Sequence, residues 1–417
     1  MSHGLVNNMK KRIAMVINTL SDGGAERVVS NLSRELYRKY DIDIIVDNTE
    51  RLAYPYKGHI VSLNMPSEPK YLGTLYQIQV VNRRIRVLRY LKKKKKYAAV
   101  ISFSDMCNVS NVFSGNRFSR AIVTVHHSLM GEKDNTRIHQ IISPVLMPWC
   151  FRKADLTVSC SWGVNDELVR EYGLPSEKGR AIYSGLELCE IRKLAKAPLD
   201  EHVKEKLFEK KVFVSVGRLI RSKGHRFLLN AIKILKDEGV PVHLVILGEG
   251  GQRASLEEQA FKLGIADAIS MPGFVMNPYA YLARADAVVM PSLHEGFGIA
   301  VTEALACGVP VISTDYVSGA REILAPDTDY RVKTRDRVEK AKYGILVPVC
   351  MEDEKESHDG EPSKEEIMMA DAMRKILEDP ALVRYYRKAS LERAEQLDIR
   401  SICEQWIGII EGSWKKI

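Results

Sequence analysis

The sequence predicts an α/β chain of two parallel-sheet domains, on three observations. The chain has 417 residues, 45% hydrophobic and 28% charged, which at roughly 100–200 residues per domain allows two or three domains with real cores and matches globular composition. Strand-like apolar runs alternate with longer amphipathic segments in both halves, the order that builds βαβ units. Those runs are nearly continuous Val and Ile, which suits strands buried on both faces of a parallel sheet.

In the first half the runs are Ile13–Asn18, Ile42–Asp47, Ala98–Phe103, Ala121–Val125 and Asp155–Ser159; in the second they are Val212–Gly217, Val242–Gly248, Asp286–Ser292 and Val309–Ser313. Two Rossmann-like domains follow, over residues 1–190 and 205–385, separated within the charged, weakly patterned stretch Leu186–Lys210. A cleft between them, outside the strand carboxyl ends, is the expected active site. Ala325–Ser363 is rich in charge and chain breakers and is expected to be a surface insertion around the short strand ILVP, without chemistry of its own. From Pro380 to Ile417 the pattern is helical, carrying Trp406 and Trp414.

Seven cysteines without a C-x-x-C pair indicate neither a disulfide framework nor a cysteine zinc site, and point to a reducing, cytoplasmic compartment. The apolar stretch near the N-terminus ends at Asn18 and Thr19, and no run reaches the eighteen or so apolar residues that a membrane span needs. The net charge of +9 is concentrated: Arg83, Arg84, Arg86, Arg89 and Lys92 to Lys96 lie between Thr74 and Val100 without one acid. At about 3.6 residues per turn this segment puts Ile78, Val81, Ile85 and Leu88 on one stripe and Arg86, Arg89, Lys93 and Lys96 on an adjoining one. A helix at an anionic membrane surface has this pattern, and so does a solvated basic face on a core helix. Nucleic acid is not expected, because no aromatic stacking platform accompanies the cations.

Three short motifs carry the chemistry. Gly23 and Gly24 follow the first strand and open a helix with Val28, Leu32 and Leu36 four apart; glycine lets backbone approach a ligand, and a helix start favours an anion, although an ordinary tight turn has the same sequence. Arg218 and Lys223, in SVGRLIRSKGH, sit just past a strand where a fork and a point charge suit a diphosphate, with Arg221 as the decoy. In HEGFG, Gly296, Phe297 and Gly298 offer backbone amides at the start of a helix expected to run through Glu303 to Cys307. That leaves Glu295 and Glu303 to accept hydrogen bonds from hydroxyls. Eight helical residues apart, they would be separated by roughly 12 Å of rise and about 80° of azimuth, one for each end of a nucleotide sugar.

These residues together resemble retaining glycosyltransferases of family 4, which have the GT-B fold. The resemblance spans nearly the whole chain: GGAER, VGRLIRSKG, LGEGG at Leu247–Gly251, the two glutamates with seven residues between them, and GVPVISTD. It implies that Glu295 contacts the donor sugar and Glu303 the ribose, that Arg218 and Lys223 bind the diphosphate with Gly23 and Gly24 facing it, and that the final helix, 386–417, crosses back to the N-terminal domain. It also implies a histidine near the anomeric carbon. TVHHS offers His126 and His127, of which only one can face the cleft from a strand end; the resemblance favours His127, and a core or supporting role for either is the competing reading. The basic segment looks like the helix that sits beside the acceptor diphosphate in bacterial enzymes that build undecaprenyl-diphosphate oligosaccharides, which makes Arg83, Arg86, Arg89 and Lys93 acceptor-binding candidates.

The function expected is metal-free, cofactor-free transfer of a hexose or N-acetylhexosamine (GalNAc, Gal or Glc) from a UDP-sugar to a lipid-linked saccharide, with front-side attack and an α-linkage, on the cytoplasmic face of a bacterial membrane. Arg218, Lys223 and backbone amides would stabilise the leaving diphosphate. A nucleotide-sugar epimerase on the same fold, or a non-catalytic sugar-nucleotide-binding partner, stays open; donor turnover without acceptor separates epimerase from transferase. A nicotinamide dehydrogenase is disfavoured, since neither GG region completes G-x-G-x-x-G. Donor sugar, linkage and oligomeric state are not encoded in any motif.

Overall fold

A computed structural model describes residues 10–21, 23–50, 52–65, 73–128, 137–199, 211–351 and 361–413. The chain divides into two compact units, Met1–Gly185 with Ile399–Ile417, and Leu186–Asp398. The first holds a seven-stranded sheet of β1 (Arg12–Val16), β2 (Asp41–Val46), β3 (His59–Ser62), β4 (Ala99–Ser102), β5 (Arg120–Val125), β6 (Leu156–Ser159) and β7 (Gly179–Ala181), in the order β3-β2-β1-β4-β5-β6-β7 with every pairing parallel. Five of these are the expected runs. Their apolar residues are buried on both faces, because helices joining parallel strands cover both sides of the sheet. The two edge strands escape a hydropathy pattern: β3 is at most half-buried, and β7 is only Gly-Arg-Ala.

The second unit has β8 (Lys211–Val216), β9 (Val242–Leu247), β10 (Ile269–Gly273), β11 (Ala287–Met290), β12 (Val311–Thr314), β13 (Glu339–Lys340) and β14 (Ile345–Val347), in the order β10-β9-β8-β11-β12-β14-β13. Only β13 runs antiparallel. The expected ILVP strand is β14; β10 was hidden by Pro272 and partial exposure. Among the described residues no helix is long and apolar enough to cross a membrane.

Three expectations change. The tail is expected to divide at residue 386, but the helix Pro380–Gln396 stays in the second unit and the division falls between Asp398 and Ile399. Tyr386 joins that unit's core, Ser390 Oγ donates to the Val309 carbonyl at 2.9 Å, and Arg393 donates to the carbonyls of Glu322 (2.7 Å) and Ile323 (2.9 Å). The helix Ile399–Glu411 is the part that belongs with the first unit: Trp406 packs near Phe103 with ring centroids 6.4 Å apart, and Arg120 donates to the Ile409 carbonyl at 2.6 Å. Trp414 lies outside the described residues.

The stretch from Ala325 is also less detached than a plain surface insertion. Asp315, buried at the end of β12, accepts from Arg321 at 2.6 Å and from the Thr334 backbone at 2.8 Å; Arg321 in turn reaches Glu339 at 2.8 Å, and Lys333 donates to the Tyr316 carbonyl at 3.1 Å. A carboxylate without solvent needs such partners; here Arg321 comes from the helix Ala320–Leu324 just before the insertion and Thr334 from the insertion itself.

The basic helix, Gly73–Lys95, is rotated from the expected stripe. Leu88 is buried, but Val81 and Ile85 are half-buried and Ile78 is 52% exposed. Val80, Arg84, Leu88, Leu91 and Lys92 form the inward face. Two cations can occupy it because each has partners: Arg84 donates to Asp47 at 2.6 Å and to Asn18 at 3.0 Å, while Lys92 donates to the carbonyls of Asn111 (2.8 Å) and Gly115 (3.0 Å). Burial, only partly opposed by the Asp155 carboxylate, pushes the Lys92 ammonium down to about 7, as expected for a buried cation. The exposed remainder of the patch includes Arg83, Arg86, Arg89 and Lys93.

Candidate functional site

In the second unit, β8 and β11 are sheet neighbours, so the loops leaving their carboxyl ends abut. Leu293 donates its backbone N–H to the Ser222 carbonyl at 2.8 Å. Gly224 has φ +64°, and a Cβ there would sit 2.1 Å from the Pro291 carbonyl oxygen, so only glycine allows the two backbones this close. Across that junction Lys223 Nζ donates to Glu295 Oε1 at 2.5 Å, and Ser292 Oγ donates to the same oxygen at 2.9 Å. Ser318 Oγ fixes the Glu295 carbonyl at 2.6 Å. The Lys223 and Glu295 side chains are only 17% and 13% exposed. The Glu295 carboxylate can therefore stand beside the Gly296–Gly298 turn with its charge compensated by Lys223.

Arg218 is exposed on the loop after β8, and no carboxylate pairs with it among the described residues. Gly296, Phe297 and Gly298 precede the helix Ile299–Ala306, with Gly298 at φ +97°. Glu295 is consequently on the loop and not on the helix, which corrects the expected helical spacing from Glu303: the left-handed Gly298 breaks the helix between them. Glu303 lies buried on that helix, and Tyr279 donates its hydroxyl to it at 2.9 Å. The Phe297 turn is held from outside by Tyr316, whose hydroxyl donates to the Phe297 carbonyl at 3.2 Å.

In the first unit, Gly23 and Gly24 follow β1 and the helix Gly24–Leu36 starts there, with Val28, Leu32 and Leu36 buried. The preceding loop is braced by Arg84 and by Ser104, which donates to Asn18 at 3.3 Å. After β5 the two histidines separate as alternation requires. His126 stacks on Phe103 with ring centroids 5.6 Å apart and shares a 2.8 Å hydrogen bond with Thr124; burial, with His127 adding, pushes its pKa down to about 4. His127 is 34% exposed, with Nε2 3.9 Å from Asp105 Oδ2. Both histidines are half-buried.

Two family models match the chain in tandem, "Glycosyltransferase Family 4" over residues 22–189 and "Glycosyl transferases group 1" over residues 199–346. The chain belongs to glycosyltransferase family 4. Among relatives of this glycosyltransferase is the N-acetylgalactosamine-N,N'-diacetylbacillosaminyl-diphospho-undecaprenol 4-alpha-N-acetylgalactosaminyltransferase of Campylobacter jejuni, 28% identical over 393 residues, 93% of this chain and 96% of that one. The uncharacterized glycosyltransferase MJ1059 of Methanocaldococcus jannaschii is 28% identical over 81% of this chain and 85% of its own length. The crystal structure of Anabaena Alr3699/HepE in complex with UDP and glucose covers 96% of this chain and 100% of its own, with a TM-score of 0.71 at 17% identity. That likeness bears on the fold alone, which is GT-B.

Sequence reasoning overlooked the supports of this glycosyltransferase's motif residues: Ser292, Ser318, Tyr316 and Tyr279. Ser292 lies only three residues before Glu295 and was within reach of a local reading. The others lie far along the chain from the groups they hold, and no spacing signals them.

Proposed function

We propose that this glycosyltransferase moves a hexose or N-acetylhexosamine from a UDP-sugar to an undecaprenyl-diphosphate-linked saccharide, with retention and without a metal, at the cytoplasmic face of the membrane. The observation that carries the donor reading is the Lys223–Glu295–Ser292 cluster at adjoining strand ends, with exposed Arg218 beside it in sequence. Lys223 and Arg218 offset the charge that builds on the leaving diphosphate, preorganised donors of the kind whose single loss costs about 10²–10³ in rate. Glu295 accepts from a sugar hydroxyl, and Glu303 from the ribose. The departing phosphate takes the acceptor proton during front-side attack, with His127 near the reacting carbon. The Campylobacter relative's lipid-linked acceptor and the UDP seen in the Anabaena neighbour support the choice of substrates.

The exposed residues Arg83, Arg86, Arg89 and Lys93 fit the acceptor diphosphate and an anionic bilayer, because no carboxylate pairs with them among the described residues; Arg89 donates to the Phe113 carbonyl at the surface at 3.0 Å. The deciding experiment is a calorimetric screen of UDP, GDP, ADP and their sugars with and without EDTA, followed by transfer to an undecaprenyl-diphosphate saccharide with NMR assignment of the new anomeric centre. Selective, EDTA-indifferent binding of one UDP-sugar and an α-linked product are expected. Donor turnover without acceptor would favour the epimerase reading instead. Changing Arg83, Arg86, Arg89 and Lys93 together to Gln is expected to weaken use of the lipid acceptor at least tenfold and to spare donor binding. Unchanged acceptor use would return these residues to a solvated face.

A further inference from the structure

At the amino ends of β1 and β2 the first unit has a cavity of about 630 Å³, within the size range of small-molecule sites. It lies at the opposite edge of the sheet from Gly23, Gly24 and His127, which follow strand carboxyl ends. Three segments line it: Lys10 and Arg12 at the start of β1, Tyr37 and Asp41 before and at the start of β2, and Lys95 and Lys96 at the end of the helix Gly73–Lys95. Two of its four cations are already neutralised. Arg12 pairs with Asp41 at 2.9 Å, and Lys95 with Asp43 at 2.6 Å.

Lys10 and Lys96 have no carboxylate partner among the described residues. Lys10 Nζ instead donates to the Tyr37 carbonyl at 2.8 Å and lies 5.1 Å from the Tyr37 ring centroid. Lys96 stands at φ +47°, in the left-handed region that disfavours residues with a Cβ, with its N–H closing the helix on the Lys92 carbonyl at 3.1 Å. Glycine is the usual residue at such a helix end. The helix dipole accounts for lysines in the last turn, but not for a lysine in the strained position after it, nor for Lys10 on another segment facing the same concavity. Cations converging on a concave surface concentrate anions there, and ammonium groups are good phosphate donors.

We propose that this cavity is a second anion site, separate from the donor machinery, which takes a phosphate-bearing ligand through Lys10 and Lys96. The ligand's source is either a soluble phosphate compound or a phospholipid headgroup. The test compares the full chain with a Lys10→Gln/Lys96→Gly variant by calorimetric titration of pyrophosphate and by flotation with phosphatidylglycerol vesicles. Lys96→Gly removes a charge while relieving the left-handed backbone, so the variant keeps its fold; a thermal melt checks this, and Lys10→Gln alone serves if the melt fails. Both proteins retain Arg218 and Lys223, so any difference belongs to the cavity. Pyrophosphate binding at least tenfold weaker in the variant supports a soluble ligand. Vesicle binding at least tenfold weaker with pyrophosphate unchanged supports a lipid headgroup. Equal pyrophosphate and equal vesicle binding by both proteins overturns the proposal.

Discussion

Lys223→Ala is expected to lower kcat/KM for sugar transfer by roughly 10²–10³-fold, the range seen when a preorganised donor to developing charge is removed, and to weaken UDP binding as well. Two losses coincide: the leaving diphosphate is deprived of a cation, and Glu295, only 13% exposed, is left with Ser292 as the donor to Oε1. Glu295→Gln separates them. It keeps the shape and frees Lys223 from its ion pair, so UDP binding is expected to persist while transfer falls by a comparable factor. Because the two side chains form one pair at 2.5 Å, the double variant is expected to lose less than the product of the single losses. Steady-state kinetics and UDP titration of the three variants check this. Near-normal transfer by Lys223→Ala would remove that residue from the site.

The pattern of what the sequence disclosed follows from the kind of force involved. Strands buried on both faces, such as Ile42–Val46 or Val242–Leu247, show themselves as unbroken apolar runs because solvent exclusion acts on each residue alone. The buried face of the basic helix stayed hidden because Arg84 and Lys92 are inside by virtue of Asp47, Asn18 and two distant carbonyls. Their burial depends on pairing, which hydropathy along one segment cannot register. At the site, Arg218, Lys223 and the two glutamates could be singled out by type and spacing. The placement of Glu295 on a loop could not, since it depends on the left-handed Gly298 and on the Tyr316 hydroxyl holding the turn.

Acid is expected to destabilise the second unit through His225. The residue opens the helix His225–Asp237 two positions after Lys223, is 2% exposed, and neither ring nitrogen has a hydrogen-bond partner among the described residues. Burial, with the Lys223 charge adding, pushes its pKa from an ordinary 6.5 down to about 4. The folded state therefore refuses a proton that the unfolded state accepts below pH ~6.5, so stability falls as pH drops through that value and stops falling near pH 4. At about 1.4 kcal/mol per unit, the interval is worth on the order of 3 kcal/mol, a large share of an ordinary domain's stability. His225→Leu removes two unpaired polar atoms from a buried site at similar volume, which is expected to raise the melting temperature near pH 5 and flatten its dependence on pH. His126, shifted in the same direction, leaves a residual slope in the first unit. Melting curves of both proteins between pH 4 and 8 decide the matter: a wild-type slope that survives unchanged in His225→Leu would assign the acid sensitivity to other groups.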